Sequence, residues 1–576
     1  MPRPCSGSDR RRRNGRCAPC FRPEPVGRPA ALCRPRSPGL TEESHSGTSE
    51  IPRHRHGGSE ITKHCLQPWR QRALSGAGGP GSCRPAVVSG TRKGRRMDDI
   101  AVSERIRDSR TTSTAGVVII GGGFTGTAVA FHLASRPEQI QPIVVFEPRP
   151  VLGAGLAYST SVSAHRINVP ASRMSLLPDK KEDFQDWINE TRAVDTDPQA
   201  THSDGSVYPA RAVFGRYVAD RIRPALENGR VEHRIAQVVS VEPRPEGRWL
   251  VKAADGTQVE AQVVVIATSH PAPALPAPLS RLLASTGGTL PSLIADPWAP
   301  NAFTSVSQDA RVLIIGTGLT MADVVASLDH AAHTGAILAI SRRGQTSRGD
   351  LSSNVSANGD FSTRPARTAR ALLDNVREII SIHPEWPWQT VFNALRKQAA
   401  QVWSALPVSE RRRLVRHLRP FWDTRRFRIA PQTSAILDRL ISEGRLKTEA
   451  ARIIEAHTEG STIAVTLAHR GGGQETIDVD TVIATTGPAH GSVLKSQPFL
   501  EQLSLDGLLE CDPVGLGLHT DQNGHVLAKG QIQQTLFVAG PLSRAAYGEL
   551  MGLPEVTANA AQISENVSAV LKEHHQ

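Results

Sequence analysis

Apolar residues fall into a regular pattern only after about residue 110. From Gly116 to Ile120 the run GVVII has no polar interruption, the pattern of a strand buried on both faces of a parallel sheet. Gly121, Gly122, Gly123 and Gly126 follow at once. Phe124 and Thr125 then open FTGTAVAFHLAS, where Ala128, Phe131, His132 and Leu133 fall near one face and predict a helix. A second apolar run, PIVVFEP, ends in Glu147. The same order recurs downstream. Val312–Ile315 reads as a strand, Gly316 and Gly318 as its turn, and Leu319 and Thr320 as the start of a helix; the next strand, AILAIS, runs into Ser341, Arg342 and Arg343. Two more strand-like runs end in small residues: VVVIATSHP (263–271) and DTVIATTGPAH (480–490), the second containing Gly487. A last strand, TLFVAGPLS, contains Gly540 and precedes a helix beginning near Pro554.

The first unit lies in an uncharged run from Thr111 to Ser135, long enough for a membrane span. Its four glycines and several threonines oppose that reading, and the parse as strand, turn, helix, strand and acid favours a dinucleotide site. Gly121 permits the tight turn, Gly123 lets backbone approach a pyrophosphate, and Gly126 allows close packing of helix on strand. The helix N-terminus offers free N–H groups to phosphate, and Glu147 accepts from ribose hydroxyls. The second unit has Met321 in place of the third glycine, and its second strand ends in arginines rather than an acid. Arginine suits a 2′-phosphate, which favours NADP over NAD. Two such units predict FAD on the first and NADPH on the second. The final helix is expected to aim its N-terminal N–H groups at the flavin.

The fold expected is therefore α/β with two Rossmann-like βαβ domains. An FAD domain (115–300, returning at 481–576) is split by an inserted NADP domain (301–480). A helical insertion at about 362–425 is predicted from ARTARALLDNVREIISI, PWQTVFNALRKQAAQVWSAL and SERRRLVRHL, whose apolar residues recur at helical spacing opposite Arg-rich faces. Trp386, Trp388, Trp403 and Trp422 fall in or beside it, and could line a pocket or simply form core.

Charge changes the picture only at the amino end. The net charge of +12 resides in residues 1–96, which hold 20 Lys and Arg against 6 Asp and Glu. The remaining 47 basic and 49 acidic residues nearly cancel, which argues against a nucleic-acid partner. Those first residues also hold six of the seven cysteines and show no apolar periodicity, so residues 1–110 are expected to be a disordered basic extension, with translation starting at Met97. Cys17 and Cys20 lack a second pair at finger spacing, and no metal site is expected. There is no secretory signal, and a cytoplasmic protein without membrane contact is expected.

The remaining question is where reduced flavin sends its electrons. Beyond Met97 the only cysteine is Cys511, so no internal dithiol can receive them. Molecular oxygen, a small acceptor or a partner protein remain. No nucleophile–base pair is evident, no catalytic residue is assigned, and His165, His270 and His490 read as structural.

The segments GLAYST, HRINVPASRMSLLPD, YPARAVFGRYVAD, ADPWAP, GTGLTMAD, SRRG, FWDTRRFRIAP and AGPLSRAAYGELMGLPEV resemble bacterial FAD–NAD(P)-binding oxidoreductases of the YdhS-like group, distant relatives of flavin-containing and N-hydroxylating monooxygenases. The resemblance spans roughly residues 115 to 570. It implies that Asn168, Val169, Pro170, Met174 and Ser175 sit near the flavin. Phe427 stands where the resemblance implies histidine, and only DPWAP (Asp296 to Pro300) occupies the place of the monooxygenase fingerprint. The expectation is an FAD-dependent, NADPH-using monooxygenase acting on an amine or other nucleophile of a small substrate, expected to be anionic from Arg173 and the Arg-rich insertion. A reductase or dehydrogenase without oxygen insertion is the alternative, and a non-catalytic redox sensor a lesser one.

Overall fold

The computed structural model describes residues 112–137, 142–351 and 356–574, which form one compact unit. The expectations for residues 1–110 lie outside the described residues. Along the chain, strand β1 (Ser113–Ile120), helix α1 (Phe124–Ala134) and β2 (Ile143–Phe146) form the first βαβ unit. Helices α2 (Asp183–Thr191) and α3 (Arg211–Glu227) lead to β3 (Val231–Arg234), the hairpin β4 (Val238–Pro243) and β5 (Trp249–Ala253), and the long β6 (Gln258–Ile266). Helix α4 (Ala277–Ser285), β7 (Leu293–Ile294), β8 (Val312–Ile315), α5 (Leu319–His330) and β9 (Ile337–Ser341) follow. Five helices come next: α6 (Ala369–Ile382), α7 (Trp388–Lys397), α8 (Ala399–Ala405), α9 (Val408–His417) and α10 (Arg419–Arg426). The chain then continues through α11 (Pro431–Ser442), β10 (Leu446–Glu459), β11 (Thr462–His469), β12 (Gln474–Val479), β13 (Thr481–Ala484) and α12 (Pro498–Leu505). It closes with β14 (His525–Ala528), β15 (Gln531–Val538), α13 (Arg544–Tyr547) and α14 (Leu553–His574).

The first sheet runs β14-β15-β6-β1-β2-β3, with the β4–β5 hairpin added to β6. β1 pairs in parallel with both β2 and β6, aligning Val117 with Ile143 and with Val263. The uninterrupted apolar runs are explained by burial on both faces. Val117 and Ile119 pack in the core beneath α1 and α14, whereas Val118 and Ile120 pack toward α12 and the β4–β5 hairpin. No helix among the described residues is long and apolar enough to cross a membrane.

The second sheet runs β12-β11-β10-β9-β8-β13-β7. It reaches beyond the expected 301–480 at both ends, because β7 and β13 pair in parallel at the edge of β8. The chain therefore leaves the first sheet after β6 and returns to it only after β13. The two connecting segments touch through a bridge between Pro273 and Pro488. The meander β10–β12 was not foreseen, although Thr462–His469 alternates in the strand period. The helices of the insertion run from Ala369 to Arg426, close to the expected span.

Candidate functional site

Each glycine turn stands at the carboxyl end of a strand inside its sheet, where parallel strands leave a crevice. At the first turn Gly121 has φ +104°, and a Cβ there would lie 2.7 Å from the carbonyl oxygen of Ala267. A side chain at Gly126 would strike the Gly121 carbonyl, so α1 rests directly on the turn. Gly123 faces open space instead: a Cβ there would meet only the Gly155 Cα, at 3.5 Å. Gly123 also caps α1, with no side chain satisfying the first N–H groups. Phe124 turns its ring into the core, 5.6 Å from that of Phe214, so only its backbone faces the turn, and Thr125 lies against Gly540. Glu147 is buried at the end of β2. One of its carboxylate oxygens accepts from the Gly122 N–H at 2.9 Å, and the other accepts from the Arg149 backbone and guanidinium at 3.1 Å. The oxygen that accepts from Gly122 keeps a further lone pair. An open amide cradle beside a ribose-reading carboxylate fits FAD.

At the second turn Gly316 has φ +121°, and a Cβ at Gly318 would meet nothing within 4 Å. Met321, where a third glycine was absent, is buried in the core of this domain. The Ser341 hydroxyl bonds the Thr317 hydroxyl at 2.8 Å and accepts from the Gly344 N–H at 3.0 Å, so it helps to shape the turn. The two arginines diverge. Arg342 is exposed and has no hydrogen-bond or ion-pair partner among the described residues, whereas Arg343 stacks 4.8 Å above the Phe421 ring. This arrangement fits a 2′-phosphorylated nucleotide. Gly487 lies on the returning connection with φ +75° and open space around it.

Between the turns lies a cavity of about 330 Å³. Asn168, Val169 and Met174 line it from the first domain, Leu319 and Thr320 from the tip of α5, and Pro554 from the start of α14. The Asn168 amide has no partner among the described residues and opens into this space. Pro170 and Ser175 stand behind the wall. The Ser175 hydroxyl accepts from the Leu177 N–H, and its carbonyl accepts from Thr557 of α14 at 2.8 Å, which seats the segment on that helix.

Several lining residues had no assigned role in the sequence. Arg211, at the start of α3, bonds Asp323 of α5 at 3.0 Å and stacks 5.5 Å over Trp298. Trp298 belongs to the DPWAP segment, whose singular position was the one available signal. Arg173 and Arg428 share Asp350, at 3.3 and 2.7 Å. Arg396 pairs with Glu555, and Arg426 with Glu549 at 3.0 Å. Five arginines thus converge on one cavity. Burial pushes the Asp323 carboxyl above its ordinary range, with the Arg211 charge opposing the shift. His165 is tied on both ring nitrogens, to Thr160 and to Ser327 of α5 at 2.8 Å each. Burial and then the Arg211 charge lower its pKa to about 4, so it is a neutral strut between the domains. His270 and His490 stand ring to ring at 5.0 Å where the two connections meet, and Arg419 donates to His490 at 3.1 Å.

Residues 118–271 match the FAD-NAD(P)-binding family. No curated protein matches the chain by sequence. The ornithine hydroxylase of Pseudomonas aeruginosa superposes with a TM-score of 0.52 at 17% identity, over 80% of this chain and 100% of that one. L-lysine 6-monooxygenase of Pseudomonas syringae gives 0.54 at 17% identity, over 79% and 99%. The ornithine N-hydroxylase of Kutzneria sp. 744, solved with reduced FAD, NADP+ and L-ornithine, gives 0.50 at 17% identity, over 80% and 100%. The shared architecture is the two-domain FAD and NADP flavoprotein fold.

Proposed function

We propose that this chain, which carries an FAD-NAD(P)-binding domain over residues 118–271, is an NADPH-using monooxygenase that hydroxylates an amine or similar nucleophile of a small substrate. The observation that carries the reading is the cavity on which the α5 tip, the Asn168–Met174 segment and the start of α14 converge, walled by five arginines, of which Arg396 and Arg426 come from the helical insertion. In this reading Gly121, Gly123 and Gly126 with Glu147 hold FAD, and Gly316 and Gly318 with Arg342 hold NADPH. Bound FAD supplies hydride acceptance from NADPH and reaction with oxygen. The overall change is NADPH, a proton, oxygen and R–NH2 giving NADP+, water and R–NHOH.

The residues of the cavity suit a nucleophilic nitrogen. Five arginines share four carboxylates here, and the small net positive charge that remains disfavours protonation of a bound amine and so keeps its lone pair available. The same charge attracts an anionic group elsewhere on the substrate. Asn168 can orient a polar group, and the helical insertion limits access of water, which protects oxygen chemistry from uncoupling. Among the described residues the one cysteine, Cys511, is exposed and does not line the cavity, so no described pair of cysteines is placed to receive electrons there as a disulfide.

The test is stoichiometry. Protein reconstituted with FAD is given NADPH, oxygen and a panel of amino acids and amines, and NADPH oxidised, oxygen consumed, hydroxylamine formed and peroxide released are all measured. Equal NADPH, oxygen and hydroxylamine with one substrate is expected. Recovery of all the oxygen as peroxide with every amine would indicate a reductase.

A further inference from the structure

A second cavity, of about 420 Å³, lies between the helices of the insertion and the Arg544–Met551 segment. Its wall is largely apolar and draws on all five helices of the insertion: Leu372 and Val376 of α6, Phe392 of α7, Val402 and Trp403 of α8, Leu414 of α9 and Trp422 of α10. Helices α9 and α10 contain no buried residue, although Leu414, Val415, Phe421 and Trp422 give them apolar faces. Leu414 and Val415 also pack against the Trp403 cluster, and Trp422 stacks 5.8 Å from Phe392, so these faces line the cavity without closing it. A helical bundle of this composition ordinarily closes on itself, because a lining without partner atoms forfeits its dispersion contacts. Here the centre is hollow, with a volume in the range of ligand pockets.

Two side chains, Phe427 and Met551, line both this chamber and the polar cavity between the nucleotide turns. The chamber therefore abuts the proposed reaction site, with the Phe427 ring, the flexible Met551 thioether and the Arg426–Glu549 ion pair between them. Charged groups also reach the chamber: Arg419 pairs with Asp423 at 3.2 Å and Glu549 with Arg426 at 3.0 Å, whereas Arg425 and Arg544 line it with no carboxylate partner among the described residues. We propose that the substrate is amphipathic, with its amine and anionic group among the arginines of the polar cavity and an alkyl or acyl chain passing Phe427 and Met551 into the hollow insertion. This deepens the monooxygenase reading by naming the substrate class, and rests on it for the identity of the reacting group. The physical basis is separate: burial of methylenes against a largely apolar wall that no other described residue covers.

The experiment measures binding to oxidised, FAD-loaded protein without NADPH, so that loss of turnover and loss of this proposal are distinguishable. Straight-chain α-amino acids, from α-aminobutyric acid through α-aminodecanoic acid, are titrated while the fluorescence of Trp403 and Trp422 is followed, with calorimetry as a second readout. Affinity rises about three- to fourfold per added methylene until the chamber is full, as expected for carbon removed from water. Ala399→Phe, which adds a ring to the chamber wall, moves that plateau to a shorter chain while the protein remains yellow. Leu414→Phe is the replacement if Ala399→Phe does not retain flavin, and the series with unaltered protein decides the matter if neither does. Affinity independent of chain length, no binding by any member of the series, or a plateau unmoved in a flavin-loaded variant overturns the proposal.

Discussion

At the scale of single residues, Arg342 and Arg343 were read as one basic pair, yet the structure divides their work. Arg343 spends its guanidinium on the Phe421 ring of the insertion, whereas Arg342 stands exposed and unpartnered among the described residues. Arg342→Ala is expected to remove one charge-assisted contact of about 1.5–3 kcal/mol, raising KM for NADPH roughly tenfold to a hundredfold. KM for NADH should scarcely move, and steady-state kinetics with the two nucleotides decides it. An equal rise for both would show that Arg342 does not read the 2′-phosphate. The glycines were legible in advance because their demands are local. A turn with φ above +100° and a helix pressed on its own turn exclude side chains whatever surrounds them. Ser341 was legible as a position, but its bonds to Thr317 and Gly344 were not, since that arrangement depends on a turn the sequence does not announce.

At the scale of elements, α3 and α5 are joined through Arg211 and Asp323, 112 residues apart and both buried. Arg211→Leu leaves a carboxylate in an apolar interface and is expected to cost about 3–5 kcal/mol in urea unfolding. Arg211→Leu combined with Asp323→Leu should recover most of that loss, because the stranded charge is what costs. A double variant no more stable than Arg211→Leu would overturn the account. No pattern within α3 or α5 marks either residue as paired, and their meeting belongs to the packing of two domains. The β10–β12 meander is a different kind of omission. Its alternation is present in TIAVTLAH, where Ile463, Val465 and Leu467 turn into the core, but Ala464 and the glycines of 471–473 blur the period. The insertion shows the limit from the other side. Helical spacing predicted its helices, whereas the hollow they surround depends on how far apart they stand.

At the scale of the whole molecule, buried histidines make stability depend on pH. Burial first and nearby arginine second lower His165 and His270 to about 4 and His490 to about 3, from an ordinary 6.5. Arg211 faces His165, and Arg419 and Arg544 face the other two. The unfolded chain therefore binds more protons below pH 6.5, so the stability these groups contribute is full above that value and is lost as pH falls toward their folded values. For His165 the loss is up to about 3 kcal/mol. Urea midpoints should fall between pH 6.5 and pH 4, with a shallower slope in His165→Gln; a flat profile in the unaltered protein would sink the idea. His165 was read as structural from sequence, and its bonds to Thr160 and Ser327 across the two domains agree with that role. What the sequence determined by itself was whatever short-range sterics and periodicity dictate: two glycine turns, the strands buried on both faces, the acid at Glu147, the arginines after β9 and the helices of the insertion. What only the tertiary structure decided was convergence. The unpartnered Asn168, five arginines from distant segments, Trp298 and the apolar chamber behind Phe427 meet because two sheets and a helical bundle pack together, and distances between remote residues are properties of that packing alone.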